Sequence, residues 1–207
     1  MVLQRINRTG FLTAAFFLIL WVYTFLFTDD RENWLIENML VFIFITWLFR
    51  SSNKPLFNPL SYLLIFSFLS LHVIGSMYAY ASVPVGFELK DWFHLQRNPY
   101  DRIVHFSFGL LLAYPLQQVL QQVFNVRKWR FFIMPIELIL SVSALFELIE
   151  WFIGGVLMPH CANTYVGTQG DIWDAQKDMA LATLGASITM LLTYLWRMSK
   201  QRSISIT

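Results

Sequence analysis

The sequence predicts an all-α polytopic membrane bundle of about six transmembrane helices, with both termini in the cytoplasm. Three observations predict it. The first is composition: 57% of the 207 residues are hydrophobic and only 14% are charged, against about 25% charged in soluble domains. The second is a set of six apolar stretches on the scale of the roughly 20 residues that a spanning helix needs. The third is charge, which is almost wholly basic on one side of these stretches and mostly acidic on the other. Such a composition excludes a soluble enzyme, a nucleic-acid binder, a secreted disulfide scaffold and a disordered regulator. The single cysteine, Cys161, permits neither an internal disulfide nor a cysteine metal cluster.

The stretches run through Gly10–Phe27, Trp34–Phe49, Pro59–Tyr80, Ile103–Phe124, Phe131–Gly154 and Ala175–Trp196. The first is longer than the apolar core of a signal peptide. It ends in Thr28-Asp29-Asp30 rather than a small-residue cleavage site, so it is expected to stay as a helix. Short polar breaks at Thr28–Asn33, Arg50–Asn58 and Asn125–Arg130 close the first, second and fourth spans. Longer connections near Ala81–Arg102 and Gly155–Asp174 follow the third and fifth. No repeat or linker divides the chain, so residues 1–207 read as a single integral membrane domain. Trp34, Trp47, Trp129, Trp151, Trp173 and Trp196 fall near span ends, where interfacial aromatic belts lie.

Lys and Arg near span ends are retained in the cytoplasm. Ten of the fifteen lie on the side of the termini: Arg5, Arg8, Arg50, Lys54, Arg127, Lys128, Arg130, Arg197, Lys200 and Arg202. The other five are Arg31, Lys90, Arg97, Arg102 and Lys177. The acidic residues take the opposite side. Asp29, Asp30, Glu32, Glu37, Glu88, Asp91, Asp101, Asp171, Asp174 and Asp178 lie in or next to outer connections, with Glu147 and Glu150 within about two turns of the outer end of span five. Only Glu137 lies toward the other side.

Helical spacing gathers the polar groups into stripes. Ser143, Glu147, Glu150 and Gly154 share a face, as do Asp171, Asp174 and Asp178 with Ala182, Ala186 and Thr189 below them. His105 lies one turn from Asp101 and continues into Gly109 and Ala113. Small residues below a polar cluster let helices approach closely, so these stripes are expected to face the bundle interior. Intramembrane carboxylates are costly unless a proton, a basic side chain or a cation neutralises them.

The pattern makes His72, His105, Glu150, Asp174 and Asp178 candidate ligands of a divalent metal, with Glu147 and Arg102 as candidate catalytic groups. Imidazole with carboxylate suits Zn, Mn, Fe or Mg without choosing among them. The competing reading is a hydrogen-bonded network that fixes helix packing. Asp171 reads as an N-cap of span six, and Asp101 either caps span four or joins the cluster. His94 and His160 are loop residues, Cys161 an incidental thiol, and Glu137 takes no role. The segment Tyr165–Asp174 is either an anion-binding helix start or an ordinary glycine turn. The Val83–Leu95 loop, rich in aromatic residues, is expected at the interface, beside an entry from lipid.

Three segments carry a family resemblance: Tyr100-Asp101-Arg102-Ile103-Val104-His105-Phe106, the pair Glu147 and Glu150, and Gly167–Asp178. In these the chain resembles the YjdF-type family of bacterial inner-membrane proteins. Asp101, Arg102 and His105, with Asp171, Asp174, Asp178 and Gly185, are also similar to elements of the wider VanZ-like group. The resemblance implies a bacterial inner-membrane location and the same polar cluster. It implies no reaction.

The resulting functional expectation is a metal-dependent hydrolase or transferase acting on a lipid or lipid-linked envelope substrate at the outer leaflet. Membrane lipid is the expected surrounding, and nucleic acid is not a partner. Two alternatives compete with an enzyme: a non-enzymatic protein whose cluster packs helices or binds a partner, and a cation or proton transporter. The acid asymmetry counts against the transporter, which would need polar groups continuing past Glu137.

Overall fold

The computed structural model describes residues 8–50, 56–157 and 168–204. Among them the chain forms eight α-helices and one π-helical turn. These are α1 (Arg8–Phe27), α2 (Arg31–Glu37), α3 (Met39–Arg50), α4 (Pro59–Met77), α5 (Pro84–Trp92), α6 (Tyr100–Phe124), α7 (Arg130–Phe152) and α8 (Asp174–Ile204). The π turn, Ile153–Leu157, continues α7. His160, Cys161 and the Tyr165–Gly167 part of the predicted glycine turn lie outside the described residues, as do Arg5 and Lys54.

Five helices are long and apolar enough to cross a bilayer: α1, α4, α6, α7 with its π turn, and α8. The sixth predicted span is present as two pieces, broken at Asn38 between α2 and α3. Hydrogen bonds still cross the break, from Asn38 N–H to the Trp34 carbonyl and from Phe42 N–H to the Asn38 carbonyl, both 3.0 Å. At the break the Asn38 side chain is wholly buried. Its amide donates to Ser76 Oγ at 2.9 Å, and its oxygen accepts the Trp21 indole N–H at 2.8 Å. Those bonds tie α2–α3 to both α1 and α4. Trp34 also departs from expectation. At 3% exposed it is core rather than interface, with its indole N–H on Thr24 Oγ1 at 3.2 Å. Trp47, Trp129, Trp151, Trp173 and Trp196 are all exposed.

The long helices pack in a definite order. Helix α1 lies on α4, α4 on α6, and α6 on α8, with α7 against both α6 and α8. One apolar core joins α1, α3 and α4 through Phe17, Val41, Ile65 and Val73. A second joins α6, α7 and α8 through Ala113, Ile139, Ala182 and Ala186. The outward faces carry Phe16, Ile19, Leu145, Leu191 and Leu195, all exposed. An apolar surface of that extent is stable facing lipid rather than water.

The α6–α8 contact sets the site. These two helices run parallel, with Phe106 and Gly109 against Gly185 and Ala182, and Gln117 further along against Met190. Thr189 Oγ1 donates to the Leu110 carbonyl at 2.6 Å. A β-carbon on Gly185 would sit 2.3 Å from the Phe106 carbonyl oxygen, so only glycine admits this approach. The small-residue stripes of the two helices therefore face each other, as their spacing predicts.

Candidate functional site

Where α6 and α8 begin, their polar residues meet. Asn98 organises the entry to α6 and is 1% exposed. Its side-chain oxygen accepts from Tyr100 N–H at 3.0 Å, and its amide donates to the Val83 carbonyl at 3.0 Å. Its backbone exchanges two hydrogen bonds with the Gln169 side chain, at 2.9 and 3.1 Å. Asn98, one residue before the N-cap Pro99, thus takes the first N–H of the helix, and the Asp101 side chain faces Arg97 and His105.

Asp101 divides its two oxygens. Oδ2 lies 3.6 Å from Arg97 Nη2, and Oδ1 lies 3.6 Å from His105 Nε2. The same imidazole nitrogen is 3.6 Å from Glu147 Oε1 on α7. Asp178 enters from α8, 2% exposed. One donor atom each from Asp101, His105 and Asp178 lie within 4.8 Å of one another. An ion with bonds of about 2.1 Å keeps its ligand atoms no more than about 4.2 Å apart. Small side-chain rotations would therefore close the group around one. Asp178 Oδ1 and Glu147 Oε1 are buried and have no hydrogen-bond partner among the described residues. Buried carboxylate oxygens in that condition are what a cation or a proton relieves.

Around this group lies a clasp of ion pairs. Arg97 and Asp174 pair directly, and Arg97 also donates to the Thr168 carbonyl at 3.1 Å. Arg102 pairs with Asp171 and lies 3.4 Å from Asp174. Lys177 Nζ reaches Asp171 at 2.6 Å. The Lys177 hydrogen bond, followed by those of Trp173 N–H and Arg102, holds the Asp171 carboxyl down at about 2. Asp171 accepts from Trp173 N–H at 3.1 Å, as a capping residue does, but it is equally the centre of the clasp.

Beside the group lies an apolar cavity of about 310 Å³ between α3, α4, α6 and α7. Phe68, Leu69, Phe108 and Phe146 line it, and His105 and His72 stand on its wall. Leu40 and Val142 also line it while remaining 40% and 45% exposed, so it opens on the lipid-facing side between α3 and α7.

Comparison with known proteins bears on the same residues. A family model described as "Predicted membrane protein (DUF2238)" matches residues 10–199. The chain belongs to the DUF2238 family. In this DUF2238 protein the match takes in every residue of the group and of the clasp. The chain is also 38% identical over 187 residues to "Inner membrane protein YjdF" of Escherichia coli (strain K12), covering 90% of this chain and 88% of that one. The YjdF-type resemblance carried by the site residues thus extends along the chain. No solved structure matches.

The structure distributes the sequence-predicted site residues of the DUF2238 protein unevenly. His105 and Asp178 come together, with Glu147 beside them. Asp174 lies in the clasp, its carboxylate taken by Arg97 and Arg102, and Arg102 stands on the rim. Glu150 is buried one turn beyond Glu147, outside the three-residue group. His72 is held apart by two protein contacts: Nε2 lies 3.2 Å from the Glu37 carbonyl, and Nδ1 lies 2.7 Å from Tyr80 Oη. Gly75 allows this, because the Tyr80 ring folds over it at a distance no β-carbon would permit. Asp101 is the group member that the ligand reading omits. Its i, i+4 spacing to His105 is the signal that identifies it. Glu137 is exposed on α7 and does not extend the buried polar line toward the basic end.

Proposed function

We propose that this DUF2238 protein is a metal-dependent hydrolase or transferase of the bacterial inner membrane, acting on a lipid or lipid-linked substrate at the outer leaflet. The reading takes both termini as cytoplasmic, which the excess of Lys and Arg at the basic end supports. One observation carries it: His105 belongs both to the buried Asp101–His105–Asp178 group and to the wall of the apolar cavity. Metal-capable donors and a slot for a hydrocarbon chain therefore share a residue.

In this reading Asp101, His105 and Asp178 would hold a divalent ion, which would supply Lewis-acid polarisation of an ester or phosphoester bond. Glu147, 3.6 Å from His105, accepts the proton of the attacking water or hydroxyl and returns one to the leaving oxygen. The bond formed is from that oxygen to carbon or phosphorus, and the bond broken is to the leaving alkoxide. Arg102, paired with Asp171 at the rim, meets a substrate phosphate in this reading. The cavity takes one acyl chain and aligns the headgroup bond with the group.

Elemental analysis of the protein purified in mild detergent tests the reading, beside His105→Ala and Asp178→Asn. Near-stoichiometric Zn, Mn or Fe, absent from folded variants, supports it. Failure to retain metal or to bind it on re-addition overturns it. A second reading has its own support, since Arg97 and Arg102 already neutralise Asp171 and Asp174. There the cluster is a packing network, and Glu147→Gln with Asp178→Asn lowers thermal stability with no activity to lose.

A further inference from the structure

A second groove, of about 700 Å³, lies at the basic end of the bundle, among α6, the turn before α7, α7 and α8. Arg127, Lys128 and Arg197 stand along it. Ile133, Ile136, Met190 and Leu191 continue it toward the middle of the bundle. Met190 lies seven residues before Arg197 on α8, about 10 Å deeper at 1.5 Å per residue. The groove is therefore cationic at its mouth and apolar below. None of the described residues that line it is Asp or Glu.

The cations are set rather than loose. The Arg197 guanidinium lies 4.0 Å from the centroid of Phe131 and 5.9 Å from that of Phe132. Ring faces hold a guanidinium in place without neutralising it. Arg127 Nε donates to Asn125 Oδ1 at 2.9 Å. Asn125 and Lys128 both adopt left-handed backbone, with φ of 53° and 59°, which turns the chain tightly between α6 and α7. Trp129 and Tyr194, aromatic residues of the kind that sit at headgroup depth, complete the lining.

We propose that this groove binds one anionic phospholipid. Its phosphate sits among Arg127, Lys128 and Arg197, and an acyl chain lies along Ile133, Ile136 and Met190. Charge complementarity selects this occupant. An anionic headgroup brings net negative charge to three cations, whereas a zwitterionic one adds an ammonium that those cations repel and that no carboxylate of the lining offsets. Basic pockets between transmembrane helices take anionic headgroups for this reason. The proposal does not depend on metal or catalysis at the acidic end.

The test follows thermal unfolding of the full chain in mild detergent as phosphatidylglycerol or phosphatidylcholine of the same chain length is added. The expected result is stabilisation by phosphatidylglycerol at concentrations at least about tenfold below those of phosphatidylcholine. Lys128→Gln with Arg197→Gln should remove that preference, since each basic side chain contributes about fivefold near a membrane surface. Arg197→Lys should retain most of it. Arg31→Gln with Lys90→Gln, the same charge change at the acidic end, should leave it intact. Equal stabilisation by the two lipids overturns the proposal, as does equal loss in the acidic-end control. Inorganic phosphate matching phosphatidylglycerol would overturn it too, as would a cross-linked dimer formed through this groove. If the double variant does not fold, native mass spectrometry of the wild type decides: one retained phosphatidylglycerol supports the proposal, and indifference between the lipids defeats it.

Discussion

Gly109 of α6 lies so close to Ala182 of α8 that a β-carbon on the glycine would stand 1.8 Å from the Ala182 carbonyl oxygen. The neighbour is backbone and cannot swing aside, so Gly109→Ala must push the helices apart. Overpacking of this kind costs about 1–3 kcal/mol or more, and the upper end is expected here. Gly155→Ala is the control, because its β-carbon meets nothing nearer than the Trp151 ring at 3.5 Å. That change should shift stability by no more than about 0.5 kcal/mol. Unfolding of both variants in detergent checks the difference. Metal retention by Gly109→Ala should also fall, since Asp178 moves with α8.

Asp174→Asn separates the clasp from the metal-capable group. Arg97 is 8% exposed and pairs directly with this carboxylate. Removing one partner of a buried ion pair costs about 3–5 kcal/mol, and a loss toward the lower figure is expected because Asp101 also lies beside Arg97. Metal content per folded molecule should be unchanged. A variant that loses metal while keeping its stability would place Asp174 among the ligands instead.

Tyr80→Phe makes the corresponding test for His72. The substitution removes the hydroxyl 2.7 Å from Nδ1 and strands that nitrogen in a buried site. The expected loss is about 1–3 kcal/mol, with metal stoichiometry unchanged, whereas His105→Gln should abolish retention. Parallel denaturation and elemental analysis read both quantities.

The Asp171 carboxyl provides a pH test outside the membrane. Its ordinary value of 3.8 is lowered to about 2, with the Lys177 hydrogen bond the largest cause. A carboxyl depressed by folding adds stability that is complete above its unfolded pKa and is lost as pH falls through the folded one. The clasp should therefore hold above about pH 4 and weaken toward pH 2. Carbon NMR of labelled aspartate should find this titration near 2 in the wild type and moved toward 3.8 in Lys177→Gln.

Much of the architecture was legible because helical spacing and hydropathy are local properties. The predicted Ile103–Phe124 span lies within α6, and Gly109, Ala113, Ala182 and Ala186 meet as their periodicity requires. The Asn38 break was not legible, because the apolar run resumes at Met39 and the side chain's partners, Trp21 and Ser76, are remote in sequence. Asp101 was legible only in part, since an acid in the first turn of a helix fits a cap as well as a cluster member. The structure turns its two oxygens to Arg97 and His105. His72 and His105 are chemically alike in the sequence, and only the fold of Tyr80 over Gly75 distinguishes them.

The reciprocal hydrogen bonds between Asn98 and Gln169 fasten the two long connections together above the group, while Leu40 and Val142 leave the cavity open sideways. A ligand using that opening travels in two dimensions within one leaflet. Its occupancy then follows its mole fraction among the surrounding lipids rather than its solubility in water. Turnover or binding measured in micelles should accordingly be diluted by added detergent at constant ligand concentration, and should depend on surface composition alone once vesicles replace micelles.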